Sequence, residues 1–454
     1  MTNVFKQCIR GGFLLLALFI AGSVQAQKYN FESKAAKKLY LKLEKAYDSY
    51  DYGYILENEQ NLLSTFDNKQ DTLTALVYSF LGEAYLQEAG ELTKSLSYYN
   101  KELDLRNGIQ SKDDFDYSFL TSNIATLYDE LGYYDKSEKL YLNLLETDAM
   151  RSGKKSDEYL ESALSLAIHY TFSNEPAKGI ALLKSIDQNV DKNSEKYPRM
   201  LMTFGQLYRD QGSLRQAMKH LERAFESFNK LGMNPSFELV SNLNAIHNVQ
   251  ADLGKFPEAE ETLKEALAIL DKMDGNTDDI ASVFHHNLGE VYRRLGNYDE
   301  AIKSLQRSLD IVSELNGEDS PAAAEDLSSL GRVYMNDQRY GQAEETISSA
   351  LEIVKANGGD DNIIYYNLLS TLASVYQENG RLSKSIQLRK ESVAGYKDIL
   401  GKESWEYAYE LHKLGKAYQA MYDFKNAEEN LEKGMKIRKA SLGRYHPYYS
   451  ISTR

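Results

Sequence analysis

One cysteine, six prolines and one tryptophan are all that 454 residues hold of these types. The cysteine, Cys8, lies at the extreme N-terminus, so the rest of the chain is excluded from disulfides, zinc–thiolate sites and cysteine nucleophiles. A chain without thiols suits an oxidising compartment. Scarce proline, with abundant Leu, Ala, Glu, Lys and Tyr, favours helix over sheet. Massed positive charge is lacking too. The formal net charge is −14, which argues against nucleic acid as a partner, because phosphate binding needs clustered Lys and Arg. The longest apolar run, Phe13 to Ala21, is about half the ~20 residues that span a bilayer, so no membrane span is expected after its removal.

Catalytic signatures are equally thin. Gly153-Lys154-Lys155-Ser156 lacks the glycine spacing of a phosphate-binding loop, and neither Gly-x-Gly-x-x-Gly after a strand nor His-Glu-x-x-His occurs. His285-His286 is read as a surface-and-groove pair, because adjacent helical residues point apart. Acid runs such as Glu258-Ala259-Glu260-Glu261 read as solvated helix faces. The expectation is a chain that is not an enzyme and needs neither cofactor nor metal.

What is present begins with a secretory pattern. Lys6 and Arg10 precede the apolar run, and Val24-Gln25-Ala26 places small residues before a cleavage site at Gln27. Residues 1–26 are thus expected to be a signal peptide that exports the chain, to the periplasm or the extracellular space if bacterial. The alternative is a retained anchor. Cys8 precedes the apolar stretch, where a lipid-modified cysteine would follow it.

The rest is repetitive. Leu288-Gly289, Tyr292, Gly296, Tyr298 and Ala301 recur 42 residues later as Leu330-Gly331, Tyr334, Gln338, Tyr340 and Ala343, then as Leu372-Ala373, Tyr376, Gly380, Leu382 and Ser385, then as Leu414-Gly415, Tyr418, Tyr422, Phe424 and Ala427. Backwards, the small residue recurs as Gly205, Ala167, Ala125 and Gly82, and the tyrosine as Tyr208, Tyr170, Tyr128 and Tyr85. Nine units result, spaced 43, 42, 38, 42, 42, 42, 42 and 42 residues apart. Apolar spacing within a unit predicts two helices. Small residues at the first marked position, and at Ser95, Ser137, Gly179, Ala217, Ala259, Ala301, Ala343, Ser385 and Ala427, let the two approach closely. The tyrosine is a buried wedge whose hydroxyl can reach a partner. Glycines such as Gly296, with Asn174 in one unit, fall where the first helix must turn. Gly275, Gly317, Gly359, Gly401 and Gly443 end the second helix, and Ser320-Pro321 caps and starts the next.

This arrangement resembles the tetratricopeptide repeat (TPR). The lengthened unit, with linkers such as Leu442-Gly443-Arg444-Tyr445-His446-Pro447, looks like its kinesin-light-chain type, and the likeness covers about Thr74 to Pro447. The resemblance implies an all-α, right-handed superhelix (solenoid) of about nine helix pairs that recognises a protein or peptide in its concave groove. Residues 27–73 read as a degenerate helical pair, Ala35 to Tyr50 and Tyr54 to Phe66, that caps the array; 74–441 are the superhelix, and 442–454 a linker with the start of a further repeat. In this family the first helix of each unit lines the groove. The inward positions are then Asn244 and Asn248; His286, Asn287, Glu290, Arg293 and Arg294; Ser328, Ser329, Arg332 and Asn336; Ser370, Thr371, Ser374 and Gln377; and His412, Lys413 and Lys416. The set is rich in amides and suits hydrogen bonds to an extended peptide backbone. Arg293, Arg294, Arg332 and Lys416 suit carboxylates on a partner, so that partner is expected to include acidic ones.

One unit departs from the pattern. His247 replaces the small residue and Gln250 the tyrosine, which reads either as a drifted repeat or as a kink with a recessed polar site. The leading expectation is an exported protein–protein interaction scaffold. The alternative is the sensory or regulatory region of a larger signalling or CHAT-protease-type protein. The sequence fixes no oligomeric state.

Overall fold

The computed structural model of the chain describes residues 31, 33–66, 71–87, 90–109, 115–273, 275, 277–359 and 362–442. The expected signal peptide with Cys8, Gly443 and the rest of the terminal linker lie outside the described residues.

Every regular element among those residues is helical. Three helices come first, α1 (Lys34–Asp48), α2 (Tyr52–Glu57) and α3 (Glu59–Phe66). Nine pairs follow, one for each repeat. They are α4 (Thr72–Gln87) with α5 (Leu92–Ile109), α6 (Phe115–Glu130) with α7 (Tyr134–Arg151), α8 (Asp157–Phe172) with α9 (Pro176–Ile186), and α10 (Lys196–Asp210) with α11 (Leu214–Lys230). The next are α12 (Phe237–Asp252) with α13 (Phe256–Leu270) and α14 (Asp278–Leu295) with α15 (Tyr298–Asn316). The last are α16 (Pro321–Asn336) with α17 (Tyr340–Ala356), α18 (Ile363–Glu378) with α19 (Leu382–Leu400), and α20 (Trp405–Ala420) with α21 (Phe424–Leu442).

The chain divides into two compact units, Met1–Val249 and Gln250–Arg454. The division falls inside α12, between His247 and Gln250, the two positions at which the repeat loses its small residue and its tyrosine.

In the first unit, α1 to α3 pack Tyr40, Leu43, Ile55, Leu62 and Phe66 against Leu73, Val77 and Leu81 of α4. Tyr85 donates to Glu59 Oε2 at 2.8 Å, and the Tyr98 hydroxyl bonds to the other oxygen of the same carboxylate. The expected second cap helix, Tyr54 to Phe66, is interrupted. Asn58 Nδ2 donates to the Tyr54 carbonyl at 2.8 Å, competing for the acceptor that the helical ladder would use, so the segment splits into α2 and α3.

In the second unit the reason for the small residues is visible. A Cβ on Gly289 would stand 2.5 Å from Leu305 Cγ, and one on Gly331 would stand 2.3 Å from Ile347 Cγ1. Each glycine thus receives a branched side chain from the paired helix. That helix exposes one face and buries the other, as α15 does with Ala301, Ser304, Leu305, Ser308, Ile311 and Val312 at helical spacing. Gly296 ends α14 at φ 79°, and the same turn is made by Gln338 at φ 62° and Tyr422 at φ 61° where glycine is missing. Ser320 Oγ accepts from Ala323 N at 3.2 Å, with Pro321 at the first helical position. Several of the wedge tyrosines reach a carboxylate. Tyr292 donates to Glu260 at 3.1 Å and Tyr376 to Glu344 at 2.8 Å, each glutamate 32 residues earlier on the preceding second helix. Tyr170 meets Glu138 in the same way in the first unit, at 3.0 Å.

Second helices pack between the first helices on either side, α15 against α14 and α16, α17 against α16 and α18. First helices of neighbouring pairs also touch one another directly, α14 with α16 and α16 with α18. Those first helices carry the polar residues singled out above.

Candidate functional site

Across α14 and α16, five of the expected groove residues meet. Glu290 accepts from Arg293 Nε at 3.0 Å and Nη2 at 2.8 Å, and from Arg332 Nη2 at 3.0 Å. Arg332 Nη2 also donates to Ser329 Oγ at 2.7 Å. With its amide oxygen turned to Arg293, Asn336 accepts from Nη1 at 3.1 Å and its nitrogen donates to the Arg332 carbonyl at 3.3 Å. Burial pushes the Glu290 carboxyl up, but the Arg332 and Arg293 guanidiniums outweigh it and hold the pKa at about 2. Glu290 therefore carries full charge at neutral pH, and both arginines are already engaged with it.

His286 stands one turn earlier on α14. Its Nδ1 is 2.6 Å from Asp326 Oδ1, and Asp326 is almost wholly buried. Ser308 Oγ, from α15, lies 2.8 Å from Asp326 Oδ2 and 2.9 Å from the Ser282 carbonyl. Burial works against charge on His286, but the hydrogen bond to Asp326 and the carboxylates of Asp326, Glu325 and Glu290 prevail, raising its pKa.

The same device recurs two pairs on. Ser370 Oγ donates to Glu410 Oε2 at 2.7 Å, Lys413 Nζ donates to Glu410 Oε1 at 2.8 Å, and Ser392 Oγ donates to the Tyr366 carbonyl at 2.9 Å. Asp326 and Glu410 are 84 residues apart, each with a serine 18 residues before it, Ser308 and Ser392. That spacing was the available signal for two buried acids that reading for inward-facing positions passed over. Arg389 was also missed. It stands 16 residues after Ala373, where Gly289 and Gly331 are followed by Leu305 and Ile347. It is buried, and its Nη2 donates to Ser374 Oγ at 3.1 Å and to Gln377 Oε1 at 3.2 Å.

The remaining residues are placed as follows. Arg294 and Lys416 are exposed, and Lys416 Nζ donates to Gln419 Oε1 at 3.4 Å. Asn287 and Thr371 are half-buried. His412 is half-buried, its pKa pushed down to about 4 by burial and then by the charges of Arg438 and Lys416. Ser328, Ser329 and Ser370 are buried between helices and present nothing to a partner. Asn244 and Asn248 belong to the first unit, where Asn248 Nδ2 donates to the Asn244 carbonyl at 2.8 Å and Asn244 is buried.

The first unit holds a serine, a histidine and an aspartate within reach of one another. His169 Nδ1 lies 2.7 Å from Asp129 Oδ1 and 3.2 Å from Ser137 Oγ, while Ser137 itself donates to Asp129. A proton relay needs the serine and the acid on opposite nitrogens of the ring. Here both face the same one, and all three residues are buried. The cluster is an internal tie between α6, α7 and α8.

Models described as tetratricopeptide repeat match residues 279–335, 326–398, 411–448 and 198–230. Response regulator aspartate phosphatase E of Bacillus subtilis (strain 168) is 24% identical over 219 residues, 46% of this chain and 55% of that protein. The mitochondrial tetratricopeptide repeat protein 19 homolog of Drosophila melanogaster is 24% identical over 245 residues, 51% of this chain and 65% of that protein. The chain therefore spans less than two thirds of the length of either relative. A solved structure of a signal-transduction ATPase with numerous domains and a tetratricopeptide-repeat sensor, from Pyrococcus horikoshii, covers 82% of this chain and 55% of its own at TM-score 0.51 and 16% identity, a likeness of fold. The matched segments 198–230, 279–398 and 411–448 are thus tetratricopeptide repeats, and the in-phase helix pairs between and before them follow the same helical period.

Proposed function

We propose that this protein is an exported scaffold that holds an extended peptide segment of a protein partner along the first helices of its second unit. The observation that carries this reading is the tied polar face of α14, α16, α18 and α20. Bonds between neighbouring helices, His286 to Asp326, Arg332 to Glu290 and Ser370 to Glu410, fix side chains before any ligand arrives, which lowers the entropy lost on binding. Beside these ties Arg294, Lys416 and Gln419 stand exposed, and Gln377 keeps its amide nitrogen for a backbone carbonyl. Because Glu290 already engages Arg293 and Arg332 and leaves the triad a single net positive charge, recognition rests mainly on hydrogen bonding, with Arg294 and Lys416 selecting carboxylates. Export rests on the Lys6, Arg10 and Phe13–Ala21 pattern before Gln27.

The test replaces Gln377 and, separately, the outward-facing Glu391 with a photo-crosslinking residue and recovers adducts from the exported fraction. A partner captured through position 377 and not through 391 is the expected result. Capture through 391 alone, or a mature chain whose N-terminus is still Met1, overturns the corresponding half of the reading.

A further inference from the structure

The second unit also has a cleft on the side of its second helices. It lies between α15 and α17, has a volume of ≈ 910 Å³, and is floored by Leu309, Leu327, Ile353 and Ala356. It is an open groove rather than an enclosed cavity, a shape that suits a segment of a protein better than a small molecule. Its end wall is held in place, because Asn357 Nδ2 donates to the Asp319 carbonyl at 2.8 Å.

The rim is strongly one-sided. Asp310, Glu314, Glu318, Asp319 and Glu352 line it against a single cation, Arg307. Glu314, Glu318 and Glu352 are exposed and make no ion pair among the described residues. Carboxylates around an apolar floor complement a segment with cations at its edges and apolar side chains at its centre. We infer that this cleft is a second docking surface, separate from the first-helix face, and that its occupant is a basic amphipathic segment of a partner protein. Lysine or arginine side chains meet Glu314 and Glu352 across the cleft, and leucine-like side chains settle on Leu327 and Ile353.

The test uses the full chain and a labelled peptide of leucine and lysine, amphipathic over about three helical turns, with a leucine–glutamate peptide of the same pattern beside it. Expected is saturable one-to-one binding of the lysine peptide only, with slowed hydrogen exchange in α15 and α17. The double variant Glu314→Lys, Glu352→Lys weakens it by roughly tenfold or more. The control Glu261→Lys, Glu265→Lys, which makes the same change of net charge on exposed residues of α13, leaves it unchanged. Both variants alter exposed side chains, and matching thermal unfolding verifies their folding. Equal weakening by rim and control variants, or equal binding of the glutamate peptide, overturns the inference. Protection appearing only on α14, α16, α18 and α20 overturns it too, while leaving the first-helix reading intact.

Discussion

Replacing Glu290 by glutamine removes a charge and keeps the shape. The carboxyl's pKa falls from an ordinary 4.5 to about 2 in the folded chain. At 1.36 kcal/mol per pH unit, that difference corresponds to roughly 3 kcal/mol of preference for the charged form. The Glu290 side chain keeps 26% of its surface exposed and Arg332 keeps 34%, so water screens part of this, and about 1 to 2 kcal/mol is expected at neutral pH. The sign follows from linkage. A lowered folded pKa gives stability that is complete above the unfolded value and is lost as pH falls from about 4.5 towards about 2. Urea unfolding of the wild-type chain and Glu290→Gln, followed across that range, should show a gap that is constant from neutral pH to about 5 and closes below it. A gap as wide at about pH 3.5 as at neutral pH refutes the assignment of the charge to this triad. The variant also releases Arg293 and Arg332, so a glutamate-rich peptide should bind it more tightly than it binds the wild-type chain.

His220 is stacked on Phe204 at 4.9 Å and on Tyr208 at 5.3 Å, and burial, then Arg223 and Lys219, push its pKa down to about 4. Stability of the first unit should therefore fall as pH drops from 6.5 towards 4, by roughly 2 to 3 kcal/mol, and His220→Phe should flatten that slope in thermal scans. Gly331→Ala places a carbon 2.3 Å from Ile347 Cγ1 and should cost about 1 to 3 kcal/mol, part of it recovered by adding Ile347→Val. Tyr376→Phe should lower stability by about 1 kcal/mol through loss of the Glu344 bond, whereas Tyr334→Phe should change little, because Ile302 occupies the corresponding place and offers no acceptor.

The architecture was legible because its determinants are local and repeated. Gly289 and Leu305, or Ser320 and Ala323, lie on one helix or on two joined by a short turn, and the period makes each visible several times over. The break at Asn58 was not, since an asparagine bonding its own backbone looks in sequence like any polar helix residue. The face was only half legible. Position within the helix predicted which residues line a groove; the structure ties Glu290, Arg293, Arg332 and Asn336 together across α14 and α16, and His286 to Asp326 beside them. Position did not tell which of them would be consumed by one another. Arg332 meets Glu290 42 residues away, and Asp326 is buried because His286 and Ser308 reach it from two other helices. A charge that is neutralised internally and one that awaits a ligand have the same spelling.

The ties between neighbouring first helices span about one repeat, 43 residues from Lys413 to Ser370 and 42 from Arg332 to Glu290. These bonds are therefore completed as soon as the next pair has been synthesised. During vectorial synthesis, groups such as His286 and Ser370, whose partners Asp326 and Glu410 come 40 residues later, wait only for the time taken to make about one repeat. The working face is thus assembled progressively, pair upon pair, behind the growing end.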